Sequence, residues 1–184
     1  MKKAILSILG RDRPGIVAAV SRGLLELDCN IENVSQAMLQ TEFAGIFLVA
    51  MPESVTVRQL QETLAARLEP LGLQVVAKPC APAAENEPPL RSEPFVITSR
   101  GPDRKGLVAH VSEVIARHGV NITRLQAVFK GGTQPGDNLM IFEVDVPEAV
   151  DAGALRRELN AAAERLGLEI NLQHRFIFET LHRI

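Results

Sequence analysis

Gly10-Arg11-Asp12-Arg13-Pro14-Gly15-Ile16-Val17-Ala18 recurs 91 residues later as Gly101-Pro102-Asp103-Arg104-Lys105-Gly106-Leu107-Val108-Ala109. Over residues 10 to 31 this register keeps ten identities, the last two being Asn30-Ile31 on Asn121-Ile122. A four-residue insertion in the second copy then shifts the register to 95. Ile46-Phe47 falls on Ile141-Phe142, Pro52-Glu53 on Pro147-Glu148, and Leu71-Gly72-Leu73 on Leu166-Gly167-Leu168, with 13 identities over residues 46 to 73. One register shared by two blocks marks a duplicated unit.

Within each copy the apolar period alternates between strand and helix. Lys3 to Leu9 and Phe95 to Ser99 are short β-compatible runs ending near a glycine. Val17, Val20, Leu24 and Leu27, and in the second copy Val108, Val111 and Ile115, recur at helical steps. Asn30 and Asn121 close those helices and open the next strands, and a hairpin follows. A second helix is carried by Val57, Leu60, Leu64, Leu68 and Leu71, matched by Leu155, Leu159 and Leu166, and is stopped by Gly72 or Gly167. Last strands are expected from Leu73 to Ala77 and from Leu168 to Phe178. The fold class is therefore α+β: two ferredoxin-like βαββαβ units, each an antiparallel sheet with helices on one face. The first unit is expected over 1–78 and the second over 95–184. Between them, 79–94 holds five of the eleven prolines and reads as an extended linker.

Composition suits a folded protein: 46% hydrophobic and 23% charged. No run of about 18 apolar residues is present to span a bilayer, and the first residues do not read as a secretion signal. Cys29 and Cys80 lack zinc or CxxC spacing and are expected as reduced thiols of a cytoplasmic protein. Twenty Lys and Arg against 22 Asp and Glu give a formal charge of -2, which offers no pull toward phosphate backbones.

The loop after the first strand is the most repeated polar feature. Asp12 and Asp103 are expected to cap the following helix, with Pro14 in its first turn. Gly15 and Gly106 leave main-chain N–H groups unshielded, so a ligand carboxylate could approach the positive end of the helix dipole. The same residues also read as plain caps and turns, and both readings stand here. It is not a P-loop, since Ile16-Val17 and Leu107-Val108 follow the last glycine where Lys-Ser/Thr would be required. The amides of Asn30 and Asn121 could hold the ammonium and carboxylate of an amino acid, or serve only as turn formers.

No catalytic or metal-binding set emerges. His110, His118, His174 and His182 lack ligand spacing, and Ser21 and Ser112 lie in helical patterns without a nucleophile elbow. No metal and no cofactor is expected. The βαββαβ order is shared by RNA-binding modules, but Phe43-Ala44-Gly45-Ile46-Phe47-Leu48 and Asn138-Leu139-Met140-Ile141-Phe142-Glu143 lack their aromatic pattern. Glu143 and Asp145 replace Leu48 and Ala50 of the first copy. The second face of the first sheet is therefore expected to pack on something: the other sheet, a second chain in a homo-oligomer, or a partner protein.

With the duplicated Gly-x-Asp-Arg-x-Gly-Ile/Leu-Val loop and the two Asn-Ile pairs, the chain resembles paired ACT domains, which sense amino acids. Two such units with little else resemble the glycine cleavage system transcriptional repressor family. The resemblance implies a non-enzymatic repressor that restrains a transcriptional activator protein, with glycine as the amino acid sensed and no direct nucleic-acid or membrane partner. It also implies ligand positions at Asp12, Arg13, Pro14, Gly15, Ile16, Asn30 and Ile31, and at Asp103, Arg104, Lys105, Gly106, Leu107, Asn121 and Ile122. Lys105, where the family motif has proline, and the Gly131-Gly132-Thr133-Gln134-Pro135-Gly136 hairpin depart from the pattern. The alternative is a regulatory ACT module controlling a metabolic enzyme, as in formyltetrahydrofolate deformylase.

Overall fold

The structure is a computed structural model that describes residues 2–80, 91–129 and 138–181. Unit 1 runs β1 (Lys2–Arg11), α1 (Ile16–Glu26), β2 (Asn30–Leu39), β3 (Glu42–Met51), α2 (Val57–Leu68) and β4 (Gln74–Pro79). Unit 2 repeats it as β5 (Ser92–Gly101), α3 (Leu107–Arg117), β6 (Asn121–Phe129), β7 (Asn138–Pro147), α4 (Ala152–Leu166) and β8 (Glu169–His174), and adds α5 (Arg175–Leu181). Each unit is one antiparallel four-stranded sheet, ordered β2-β3-β1-β4 and β6-β7-β5-β8. The βαββαβ reading is what the chain forms, twice. Most of the proline-rich 79–94 stretch and all of the glycine-rich hairpin lie outside the described residues.

Alternation along the central strands explains the layering. Ala4, Leu6 and Ile8 of β1 and Phe43, Phe47, Val49 and Met51 of β3 are buried with Val20 and Leu24 of α1 and Leu60, Leu64 and Leu68 of α2. Ile97, Met140, Phe142, Val144 and Val146 make the same core with α3 and α4. Strand residues of opposite parity face away from the helices. In each unit an ion pair ties the two helices together: Glu26 to Arg67 at 2.5 Å, and Arg117 to Glu158. Glu158 also takes a 2.7 Å contact from His118, and its carboxyl is held below the ordinary range first by the Arg117 hydrogen bond and then by that from His118.

The strands run past the expected ends. Pro79 closes β4, and Ser92, Glu93 and Pro94, read from the sequence as linker, open β5. The expected last strand from Leu168 to Phe178 is corrected: β8 stops at His174 and Arg175–Leu181 is helical. The β5–β8 ladder ends at Phe95–His174, the rung that matches Ala4–Pro79 in unit 1, and the apolar run Phe176-Ile177-Phe178 beyond it lies in α5, which packs back on β5 and β8. An apolar run of this length is compatible with strand or helix, and packing rather than period decides between them.

Candidate functional site

Both repeated loops leave the sheet at the same corner and reach their helix through a glycine. Gly15 has φ 97° and Gly106 has φ 87°, the left-handed region, and each is the N-cap of its helix with no side-chain capping bond. Two expectations are corrected here. Asp12 and Asp103 do not cap, because a left-handed glycine rather than an aspartate takes the N-cap position. Pro14 lies before that glycine, outside the first turn. Lys105 occupies the position matching Pro14, and the second loop keeps the same backbone shape, because nothing there needs a missing N–H.

The contrast with the other two long helices is informative. Thr56 caps α2 in a reciprocal box with Gln59, and the Asp151 carboxylate accepts from the Gly153 N–H at 2.8 Å to cap α4. The N–H groups of Ala154 and Gly153 hold the Asp151 carboxyl below its usual range. Of the four long helices among the described residues, the two that follow the repeated loop begin with first-turn N–H groups uncovered by a side-chain cap.

In unit 1 that helix start opens on a cleft of about 370 Å³. Asp12, Arg13, Pro14, Gly15 and Ile16 form one wall with Val17 and Ala18, and Gln36, Met38 and Phe43 form the other. A Cβ placed on Gly15 would meet nothing within 4 Å, so the approach is open. The Asp12 N–H donates to the Thr41 carbonyl at 2.8 Å, fixing the loop to the β2–β3 turn. Unit 2 differs. A Cβ on Gly106 would stand 3.2 Å from the His110 ring, whose Nδ1 lies 2.7 Å from the Gly106 carbonyl, and the Arg104 guanidinium lies over Gly167 at the end of α4. His110 replaces Ala19 of the first copy and covers the loop that Ala19 leaves bare.

The structure does not bring the two halves of the expected ligand set together within one unit. The loop follows Arg11, which pairs with Glu42, whereas Asn30 pairs with Ala50 at the far end of the same sheet. Eight strand steps separate them, about 26 Å. Asn121 is likewise remote from the Gly101 loop, because it pairs with Asp145 while Gly101 pairs with Asn138. Asn30 and Asn121 are exposed, and Ile31 and Ile122 pack against their cores. Sequence reasoning missed Gln36, Met38 and Phe43, although the period-two step from 34 to 38 could have placed the first two on one face.

Other chemistry is sparse. Burial, with the Asp28 charge beside it, pushes the Cys29 thiol up. Among the described residues no group of three or more His, Cys, Asp or Glu is arranged to hold a metal, and no helix is long and apolar enough to cross a membrane.

A family model described as ACT domain matches residues 2–78 and again 93–173. A UPF0237 protein of Methanopyrus kandleri is 42% identical over 79 residues, which is 42% of this chain and 88% of that protein, so it is about one unit long. The glycine cleavage system transcriptional repressor of Escherichia coli is 26% identical over 171 residues, spanning 90% of this chain and 86% of the repressor. The crystal structure of an unknown protein from Galdieria sulphuraria superposes with a TM-score of 0.75 at 26% identity, covering 94% of this chain and 98% of that one.

Proposed function

Since the chain belongs to the ACT domain family, we propose that it is a non-enzymatic, amino-acid-responsive regulator. It represses glycine cleavage genes through a transcriptional activator protein, with glycine as the effector. The observation that carries the sensing half is the open, uncapped start of α1 beside Gly15. An amino-acid carboxylate accepts hydrogen bonds from those N–H groups and sits at the positive end of the helix dipole. Arg13 adds a cation at the mouth, and Met38 and Phe43 give the opposite wall an apolar surface.

Asn30 and Asn121 each lie about a sheet length from the loop of their own unit, so they complete an amino-acid site only by coming from a second copy of the chain. The repressor role is supported by the likeness to the Escherichia coli repressor over both units. A formal charge of -2 gives no attraction to DNA, so repression runs through protein contact.

The test is affinity capture of the tagged full chain from its native host, with and without glycine. The expected result is recovery of a transcriptional activator in an amount that glycine changes. Recovery of a metabolic enzyme in its place would overturn the repressor reading.

A further inference from the structure

The sheet faces turned away from the helices have diverged between the two copies. In unit 1 that face presents Leu9, Ile46 and Val76. At the matching positions unit 2 presents Arg100, Ile141 and Asn171, and Gln74 becomes Glu169. Among the described residues unit 2 alone adds a helix after its last strand, α5, which packs on β5 and β8 and brings Phe178 to this face. Arg175 of α5 pairs with Glu143 at 3.1 Å, and Arg124 reaches the same carboxylate at 3.6 Å, so Glu143 is already engaged in holding the helix.

Beside α5 lies a cavity of about 570 Å³, lined by Thr98, Arg100, Glu169, Asn171 and Gln173, with Leu139, Ile141 and Ile170 among them and Phe178 as one wall. That volume is in the range of small-molecule sites. Arg100 and Glu169 are directly opposite in the β5–β8 register, yet they form no ion pair within 4 Å, and neither has an ion-pair partner among the described residues. Glu169, Asn171 and Gln173 alternate along β8 with Ile170 and Leu172, so they share one face. Directly opposed residues of an antiparallel pair have Cβ atoms about 5 Å apart, a spacing that one molecule carrying both charges can span.

We propose that this groove is a second ligand site, separate from the repeated loop, that takes a free α-amino acid with a polar side chain. Its carboxylate meets the Arg100 guanidinium and its ammonium meets the Glu169 carboxylate. The amides of Asn171 and Gln173 hydrogen-bond the ligand's side chain along β8, and Phe178 closes the end. A simple anion or a simple cation satisfies one charge and leaves the other facing a bare partner, so the groove selects the zwitterion. Glycine, with nothing to offer the two amides, binds here more weakly than glutamine, asparagine or serine.

Isothermal titration of the full chain with glycine, serine, asparagine and glutamine tests this, using Arg100→Leu, Glu169→Gln and Asn171→Val. Each substitution installs the residue that unit 1 carries at the matching place on the same pleated face, so the fold tolerates it. Loss of a charged hydrogen bond is expected to weaken binding of the polar amino acids by about tenfold or more for Arg100→Leu and Glu169→Gln. Asn171→Val erases the preference over glycine. Ala18→Glu, which puts a carboxylate in the first turn of α1 at the repeated loop, leaves this binding unchanged. Binding that survives Arg100→Leu and Glu169→Gln but is lost in Ala18→Glu overturns the groove and keeps the loop as the sensor. Loss of serine, asparagine and glutamine binding in Arg100→Leu and Glu169→Gln, with that binding intact in Ala18→Glu, supports the groove, while glycine binding lost only in Ala18→Glu reports the loop separately, and absence of binding by any of the four amino acids overturns both.

Discussion

At the scale of single residues, the two outer glycines of the repeated motif do different work. A Cβ on Gly10 would stand 2.8 Å from the Gly72 carbonyl oxygen and 2.9 Å from Leu73 Cδ2, so this glycine lets β1 pass close to the chain entering β4. Gly101 does the same against Gly167 and Leu168. Gly15, with open space around it, is there for its backbone angle and for access. Gly10→Ala is therefore expected to destabilise unit 1 by about 1–3 kcal/mol, because a backbone oxygen cannot move aside as a side chain can. Denaturant unfolding measures it, and a loss below about 0.5 kcal/mol contradicts the packing role. Both glycines were legible as motif residues, but their division of labour was not, since it depends on which segment returns to lie against Gly10. The aspartates misled for a related reason. An Asp four residues before the first helical residue reads as a cap, yet a left-handed glycine in between takes the N-cap position.

At the scale of elements, periodicity sufficed wherever the partner layer was local. Helices and central strands follow from 3.6- and two-residue steps, and Gly72 and Gly167 end their helical segments in the left-handed conformation that a C-terminal glycine implies. The capping box of α2 is equally local, and Thr56→Ala, which removes the acceptor for the Gln59 N–H, is expected to cost about 1 kcal/mol. Thermal or chemical unfolding of the variant checks it, and an unchanged midpoint would mean that water replaces the cap. What periodicity could not supply was the fate of residues 175–181, where an apolar run is compatible with strand or helix. The β5–β8 ladder ends at the rung that matches Ala4–Pro79 of unit 1, and the run beyond it packs back on β5 and β8 as α5.

At the scale of the whole molecule, duplication was the most legible property, and it carried the fold with it. The candidate sites were legible only in part. The repeated loop could be read from identity between copies. The wall of Gln36, Met38 and Phe43 depends on β2 and β3 coming beside that loop, and the Arg100–Glu169 opposition depends on a register no linear pattern displays. Comparison of the copies now shows where they parted: one bare loop and an apolar outer sheet face in unit 1, and a loop covered by His110 and a polar outer face walled by α5 in unit 2. Sensing and partner contact can thus be divided between units built on one plan.

The central claim, that the chain senses a free amino acid, is tested most directly by thermal melting of the full chain against an amino-acid panel that includes glycine, run beside Ala18→Glu. The uncapped α1 start predicts a saturable rise in melting temperature with glycine at millimolar concentration. Ala18→Glu is expected to melt no lower than the parent, since a carboxylate suits a helix N-terminus, and to weaken the glycine response by about tenfold, or 1.4 kcal/mol, through repulsion of the ligand carboxylate. No rise with glycine or any other amino acid at millimolar concentration would contradict the account.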